Sequence, residues 1–341
     1  MKRISPGFLI PSSAYTVGKK QIKHYDFTDK SPEVGDLVYA KVIRMGQHVE
    51  IENKEGRIHN INDGSRIIGV MGNRYAPDYW EGLIPNHLST EIDLVARSGV
   101  VGIVKNKKST IKDATRLRIF GYVTDDSGKV INTRSHCLIN PKEKTKKDSR
   151  SKMILVVGTS MNSGKSQAAK AACWAIATSG HIVRASKVTG TASLKDILAM
   201  EDAGANPVND FTHFGYPSTY KLSEEELLEI FNDLDLKVGN NPKNYWVVEI
   251  ADGILQRETE ILLRSDDVKS RIHRLIFAAQ GAMGAISGVQ ILEKEFGLTP
   301  DAISGVCASS PLAVEELDKF CSIPSFDNMN WDLQQLTDLL L

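Results

Sequence analysis

Met153-Ile154-Leu155-Val156-Val157-Gly158-Thr159-Ser160-Met161-Asn162-Ser163-Gly164-Lys165-Ser166 is the stretch around which the chain is organised. Residues 153–157 are a continuous apolar run, the pattern of a parallel strand buried on both faces. Gly158 ends the run, and Gly164-Lys165-Ser166 opens a segment with helical spacing. A strand, a glycine-bounded loop, Lys-Ser and a helix start together predict a phosphate-binding loop. Backbone N–H groups wrap the phosphates and the helix N-terminus favours negative charge. Lys165 reaches the outer phosphates, and the Ser166 hydroxyl can ligate Mg2+. Thr159 to Ser163 make the gap between the glycines one residue longer than the usual pattern.

On the C-terminal side, 167–178 is an alanine-rich helical stretch, and Gly180 suits its C-cap. Residues 181–186 read as the next strand, followed by Lys187-Val188-Thr189-Gly190-Thr191. This βαβ unit delivers polar residues to one sheet edge, the edge where open α/β sheets bind ligands. Lys187 is therefore a candidate second cation, against the commoner role of an exposed surface lysine. A helix over 193–200 carries Asp196, and Ser223-Glu224-Glu225-Glu226 is a capping box opening an amphipathic scaffold helix. The apolar run 245–248 ends in Glu249 and then Asp252-Gly253, the layout of a carboxylate that binds or orients Mg2+ beside phosphates. A glutamate ending a buried strand is costly unless a metal or cation accompanies it. Strands at 275–279 and 302–308, a helix at 289–294 between them, a further helix and the segment 323–327 complete the region. The alternation predicts an α/β fold with a doubly wound, mostly parallel sheet.

The N-terminal half is different in texture. Strands are expected at 37–43, 49–52, 57–61, 66–71, 100–104, 116–123 and 129–131, with a hairpin loop at 53–56 and a turn at 125–128. So many short strands predict a small β-barrel or sandwich. Residues 1–30 show no clean period. In the loop 73–80, Tyr75, Tyr79 and Trp80 beside Arg74 could stack on a base, but packing is the commoner use of aromatics and is the expectation. His48 and His59 read as structural. Residues 142–152 hold six basic residues and no apolar one, which reads as a solvated linker. The domain boundary is placed there, giving 1–150 and 151–341.

Lys+Arg and Asp+Glu both count 42, so no net field draws the chain to nucleic acid or anionic lipid. No long apolar stretch predicts a membrane span or a secretory leader, so a cytoplasmic protein is expected. Cys137, Cys173, Cys307 and Cys321 are scattered without metal-ligand spacing, and read as reduced, mostly buried thiols.

The order Gly-Thr-x4-Gly-Lys-Ser, strand-Lys-Val-Thr-Gly, Leu-Lys-Asp, Val-Val-Glu-x-Ala-Asp-Gly, strand-Gly-x3-Gly-Ala-Ile and Ile-Ser-Gly-Val resembles dethiobiotin synthetase and its P-loop relatives over about 153–327. Those relatives share the longer glycine spacing. The resemblance implies a nucleotide held by Gly158, Thr159, Ser160, Asn162, Ser163, Gly164, Lys165, Ser166 and Gln167, with Ser309 and Ser310 near the base. It implies catalytic roles for Lys165 and Lys187, and Mg2+ on Ser166, Asp196 and Glu249. A homodimer is also implied. Asn162-Ser163, Val188 and Ile250-Ala251-Asp252-Gly253 depart from the family on the substrate side, so a biotin precursor is not expected. The arrangement from the lysine to Ala203-Gly204-Ala205 is similar to that of molybdopterin-guanine dinucleotide accessory proteins. The stretch from there through Asp210-Phe211 resembles a P-loop group that includes amino-acid N-acyltransferases. The expected activity is that of a Mg-ATP-dependent ligase or kinase (with GTP as the other candidate) acting on a small-molecule second substrate. A nucleotide-controlled binding protein and an acyltransferase holding coenzyme A on the loop are the alternatives.

Overall fold

Side-chain alternation shapes the N-terminal half. The computed structural model describes residues 1–139 and 145–341. It divides into two units, the first comprising Met1–Asn140, Thr191–Lys195 and Phe211–Lys221. In this unit strand Leu37–Arg44 lies between Arg66–Met71 and Thr115–Thr124, antiparallel to both. Arg66–Met71 runs parallel to Val100–Lys107, which pairs with Glu91–Leu94, which returns to Thr115–Thr124. The ladder closes on itself, so the β-rich region is a barrel. Register shifts within Thr115–Thr124 bend that strand as closure requires.

All five strands contribute to one core cluster, including Val38, Ala40, Val42, Ile67, Ile92, Val101 and Leu117. The opposite faces of three strands supply Leu37, Tyr39, Ile68, Val70 and Val123 to a second cluster with Ile4, Ala14 and Val17. Both faces of the strand's first half are thus covered, which is why Leu37 to Ala40 run apolar instead of alternating. The 49–61 hairpin forms as Glu50–Glu52 against Ile58–Asn60. Residues 129–131 form no strand, only a bridge between Thr124 and Val130.

The stretch 73–80 is not an open loop. Arg74–Ala76 and Trp80–Leu83 pair as a hairpin. Trp80 is 2% exposed, its Nε1 donates to Val95 O at 2.9 Å, and Arg74 lies 5.1 Å over the Tyr79 ring. The aromatics pack the unit's own core. The later segments of the unit are tied in by a Thr191–Ser218 bridge, by Thr133 Oγ1 donating to Gly215 O at 2.5 Å, and by Arg134 4.5 Å over Tyr216. Buried Glu52 accepts Ser12 Oγ at 2.6 Å and the backbone N–H groups of Leu194 at 3.0 Å and Lys195 at 3.2 Å.

The second unit comprises Pro141–Gly190, Asp196–Asp210 and Leu222–Leu341. Its strands are β1 (Lys152–Gly158), β2 (Val183–Lys187), β3 (Val208–Asp210), β4 (Tyr245–Glu249), β5 (Ile272–Ala278) and β6 (Ala302–Ser304). They form a sheet in the order β3-β2-β4-β1-β5-β6, every neighbouring pair parallel. The chain winds to one side of β1 through β2, β3 and β4 and to the other through β5 and β6. The C-terminal end of β1 is therefore the crevice where such sheets take ligands.

The helices are α1 (Lys165–Thr178), α2 (Leu194–Asp202), α3 (Glu224–Lys237), α4 (Arg257–Arg264), α5 (Ala282–Ile291), α6 (Pro311–Asp318) and α7 (Leu333–Leu340), with a single turn at Asp266–Lys269. Buried alanines at 168, 169, 171, 172 and 175 let α1 lie close on the sheet. The Ser223–Glu226 capping box opens α3.

Strand β6 is shorter than the expected 302–308, because Gly305 turns the backbone at φ +100°. Segment 323–327 adds only a bridge between Ile303 and Ser325. The helix expected at 289–294 starts earlier, as α5, and ends in a wider turn through Phe296. Of the basic stretch 142–152, residues 142–144 lie outside the described residues. The remainder docks on the second unit: Lys146 Nζ donates to Asn232 Oδ1 at 2.7 Å, Arg150 pairs with buried Asp235, and Ser151 Oγ donates to Asn241 O at 2.8 Å. All four cysteines are free, with Cys173 and Cys307 buried, Cys321 half-buried and Cys137 exposed. Among the described residues no helix is long and apolar enough to cross a membrane.

Candidate functional site

Strand β1 ends at Gly158, and Thr159 N donates to Ala278 O at 2.9 Å, tying the start of the loop to the end of β5. Asn162 and Gly164 take left-handed backbone angles of φ +60° and +100°. Asparagine tolerates this conformation. At Gly164 a side chain would also have no room, since a Cβ there would lie 2.7 Å from Gly305 Cα. The turn feeds directly into α1, whose first N–H groups have no partner within the helix.

Lys165, the first residue of α1, is 5% exposed and donates from Nζ to Ser160 O at 2.8 Å. Burial lowers its pKa, and the charges of Glu249 and Asp252 oppose that shift. Ser166 Oγ donates to Glu249 Oε1 at 3.2 Å.

Glu249 reaches the loop because it ends β4, in register with Val156 of β1 on one side and Lys187 of β2 on the other. It is 1% exposed. Lys187 Nζ stands 3.3 Å from Glu249 Oε1 and hydrogen bonds Asp196 Oδ2 in the first turn of α2. Lys187 is 7% exposed, so it is no ordinary surface lysine. Burial opposes its charge, but Asp196 and Glu249 outweigh that and hold its pKa above the usual lysine range. The structure thus brings together five of the residues singled out from the sequence: Lys165, Ser166, Lys187, Asp196 and Glu249.

Three buried atoms at this place have no hydrogen-bond partner among the described residues: Glu249 Oε2, Thr159 Oγ1 and Ser163 Oγ. Buried polar atoms are rarely left so. Two hydroxyls on the loop and one carboxylate oxygen beside Ser166 suit a phosphate and a cation. Among the described residues no group of three or more His, Cys, Asp or Glu could hold a metal by itself. A Mg2+ here would complete its shell with phosphate and water oxygens, as that ion commonly does.

Other residues read from the sequence use their side chains locally or face solvent. Gln167 is exposed on the first turn of α1, and Ser160 Oγ donates to Met161 O at 3.1 Å. Ser309 and Ser310 are exposed and use their hydroxyls locally: Ser309 donates to Val306 O at 2.9 Å, and Ser310 caps α6. Asn328 was not legible in advance. It is 3% exposed and donates from Nδ2 to Gly164 O at 3.1 Å, and nothing in its local sequence marks it. Asp252, which the sequence marks just after the β4 strand, has a charge that acts on both Lys165 and Lys187.

No family model and no curated protein matches the chain. Among solved structures it is similar to the signal recognition particle receptor FtsY from Elizabethkingia anophelis. That match has 12% identity and a TM-score of 0.39, and covers 61% of this chain and 71% of that one. A nucleotide-binding protein in complex with ADP from Archaeoglobus fulgidus shows 14% identity and a TM-score of 0.36, over 55% of this chain and 86% of that one. A ParA family ATPase from Chlorobium tepidum TLS shows 15% and 0.33, over 56% and 89%. These likenesses are too loose to carry an argument about activity. The second unit, by its own loop, helix and parallel sheet, has a P-loop NTPase fold.

Proposed function

We propose that the second unit holds a Mg-nucleotide on the 158–166 loop and passes its terminal phosphoryl group to an oxygen of a small molecule, as a ligase or kinase. The observation behind this reading is Lys187: a buried, charged lysine at the same sheet edge as the loop lysine, held between Asp196 and Glu249. Phosphoryl transfer asks the protein mainly for positioning and charge neutralisation. Lys165 supplies a cation to the outer phosphates, and Lys187 supplies a second, fixed in place by two carboxylates. A nucleotide switch needs the first lysine and has no evident use for the second.

Ser166, Glu249 and Asp196 would hold Mg2+, which when bound neutralises phosphate charge and orients the transferring group. The resemblance to dethiobiotin synthetase supports a carboxylate, carbamate or similar oxygen as acceptor. The substitutions at Asn162-Ser163, Val188 and Ile250 to Gly253 argue for an acceptor other than a biotin precursor.

Thermal melting and calorimetry with ATP, GTP and acetyl-CoA test the reading, because only a ligand bound by the native state raises stability. ATP or GTP should raise the melting temperature of the wild type, and Lys165→Ala should remove that rise while remaining folded. Undiminished nucleotide binding by folded Lys165→Ala would overturn the site. Stabilisation by acetyl-CoA alone would favour acyl transfer instead.

A further inference from the structure

The end of the phosphate loop is clamped from behind. Gly164 O accepts Ala168 N–H at 3.0 Å, the opening bond of α1, and a second hydrogen bond from Asn328 Nδ2 at 3.1 Å. Asn328 is itself fixed. Its carbonyl accepts Trp331 Nε1 at 2.8 Å, and the Trp331 ring lies 5.2 Å from Trp174 of α1. On the other side, Val306 N donates to Ser163 O at 3.2 Å, and a Cβ on Gly305 would fall 2.3 Å from that same oxygen. The turn at Gly164 is therefore held between two segments remote in sequence.

A trans peptide points its C=O and N–H in opposite directions. Holding Gly164 O from outside therefore fixes the direction of Lys165 N–H, one of the helix-start donors on which phosphate binding depends. Lys165 also carries the ammonium of the site. We infer that Asn328 is a positioning residue of the phosphate loop, setting the Gly164–Lys165 peptide before any phosphate arrives. The inference rests on the nucleotide reading above and extends it to the C-terminal segment 326–331.

The test measures ATP and inorganic tripolyphosphate binding by calorimetry, with thermal melting alongside. If Asn328 presets the peptide, Asn328→Ala weakens both ligands by the same factor, about tenfold, since preorganisation acts on phosphate binding alone. Asn328→Ser, which keeps a donor, should recover part of the loss. Trp331→Phe removes the bond that holds Asn328 while keeping an aromatic ring on Trp174. It should move both ligands in the same direction by less, and it serves if Asn328→Ala does not fold. Loss of ATP affinity with tripolyphosphate unchanged would mean that Asn328 reads the base, and would overturn the inference. A lower melting temperature with both affinities unchanged would reduce Asn328 to structure. A wild type that binds neither ligand would overturn the nucleotide reading, and this inference with it.

Discussion

Lys187 remains charged at 7% exposure because Asp196 and Glu249 compensate for the water it has lost. If phosphoryl transfer is the chemistry, Lys187 matters most where charge spreads toward the acceptor. Lys187→Ala should lower turnover by about a hundredfold or more, the usual size for one electrostatic stabiliser, with nucleotide Kd changing far less. Single-turnover rates beside calorimetry give that ratio, and equal losses in both would count against the reading. A second residue-scale prediction concerns His48 in the barrel. Its Nε2 lies 2.9 Å from Arg74 Nη1 and 3.2 Å from Val95 O. Burial and the Arg74 charge lower its pKa to about 3 from 6.5. Between those values the unfolded chain binds a proton that the folded chain does not, so stability falls as pH falls through that range. The loss approaches about 4 kcal/mol at the acid end. Denaturant titrations from pH 7 to 4 should show that slope, and His48→Gln should flatten it.

Helix α5 and strand β5 meet without a spacer. A Cβ on Gly288 would lie 2.2 Å from Cζ of Phe277, which is fully buried. Gly288→Ala should therefore cost about 1–3 kcal/mol through overpacking, visible as a lower denaturant midpoint with an unchanged slope. Elements of this kind were legible in the sequence to the extent that their signals are local. The strand-loop-helix at 153–178 is written in consecutive residues, Glu249 stands out because it ends an apolar run, and Lys187 because it ends the strand of the βαβ unit. Four of the five barrel strands were readable, but Glu91–Leu94, which closes the barrel, was not, and it joins two other strands through pairings that no local pattern specifies. Residues 73–80 read as a loop because Pro77 and Asp78 are turn residues, although they join a hairpin. Asn328 was invisible for the same reason at larger range: its partner, Gly164, is 164 positions away.

The two units interleave along the chain, since Thr191–Lys195 and Phe211–Lys221 belong with the barrel although they follow the phosphate loop. Their partners lie in the N-terminal part: Leu138 N for His213 O at 2.8 Å, Thr133 for Gly215, and Glu81 for the Tyr220 hydroxyl at 2.8 Å. A fragment beginning at residue 151 keeps the segments and loses those partners, leaving Phe211, Phe214 and Tyr216 without the cover they have in the whole chain. It should melt at least about 10 °C below the full-length protein, as followed by circular dichroism. A fragment as stable as the whole would show the interleaving to be inconsequential.

That interleaving also bears on how the protein is made. A ribosome adds about 5–20 residues per second, so residue 221 follows residue 140 by roughly 4–16 s. During that interval β1, the phosphate loop, α1 and β2 are all synthesised while the first unit still lacks its last segments. The first unit, begun first, is completed only after synthesis of the second has started, although its five barrel strands are all present by residue 124. A genetic rearrangement that moved the phosphate loop and everything after it to another protein would take two segments of the first unit along. A cut at the phosphate loop therefore does not separate the two units.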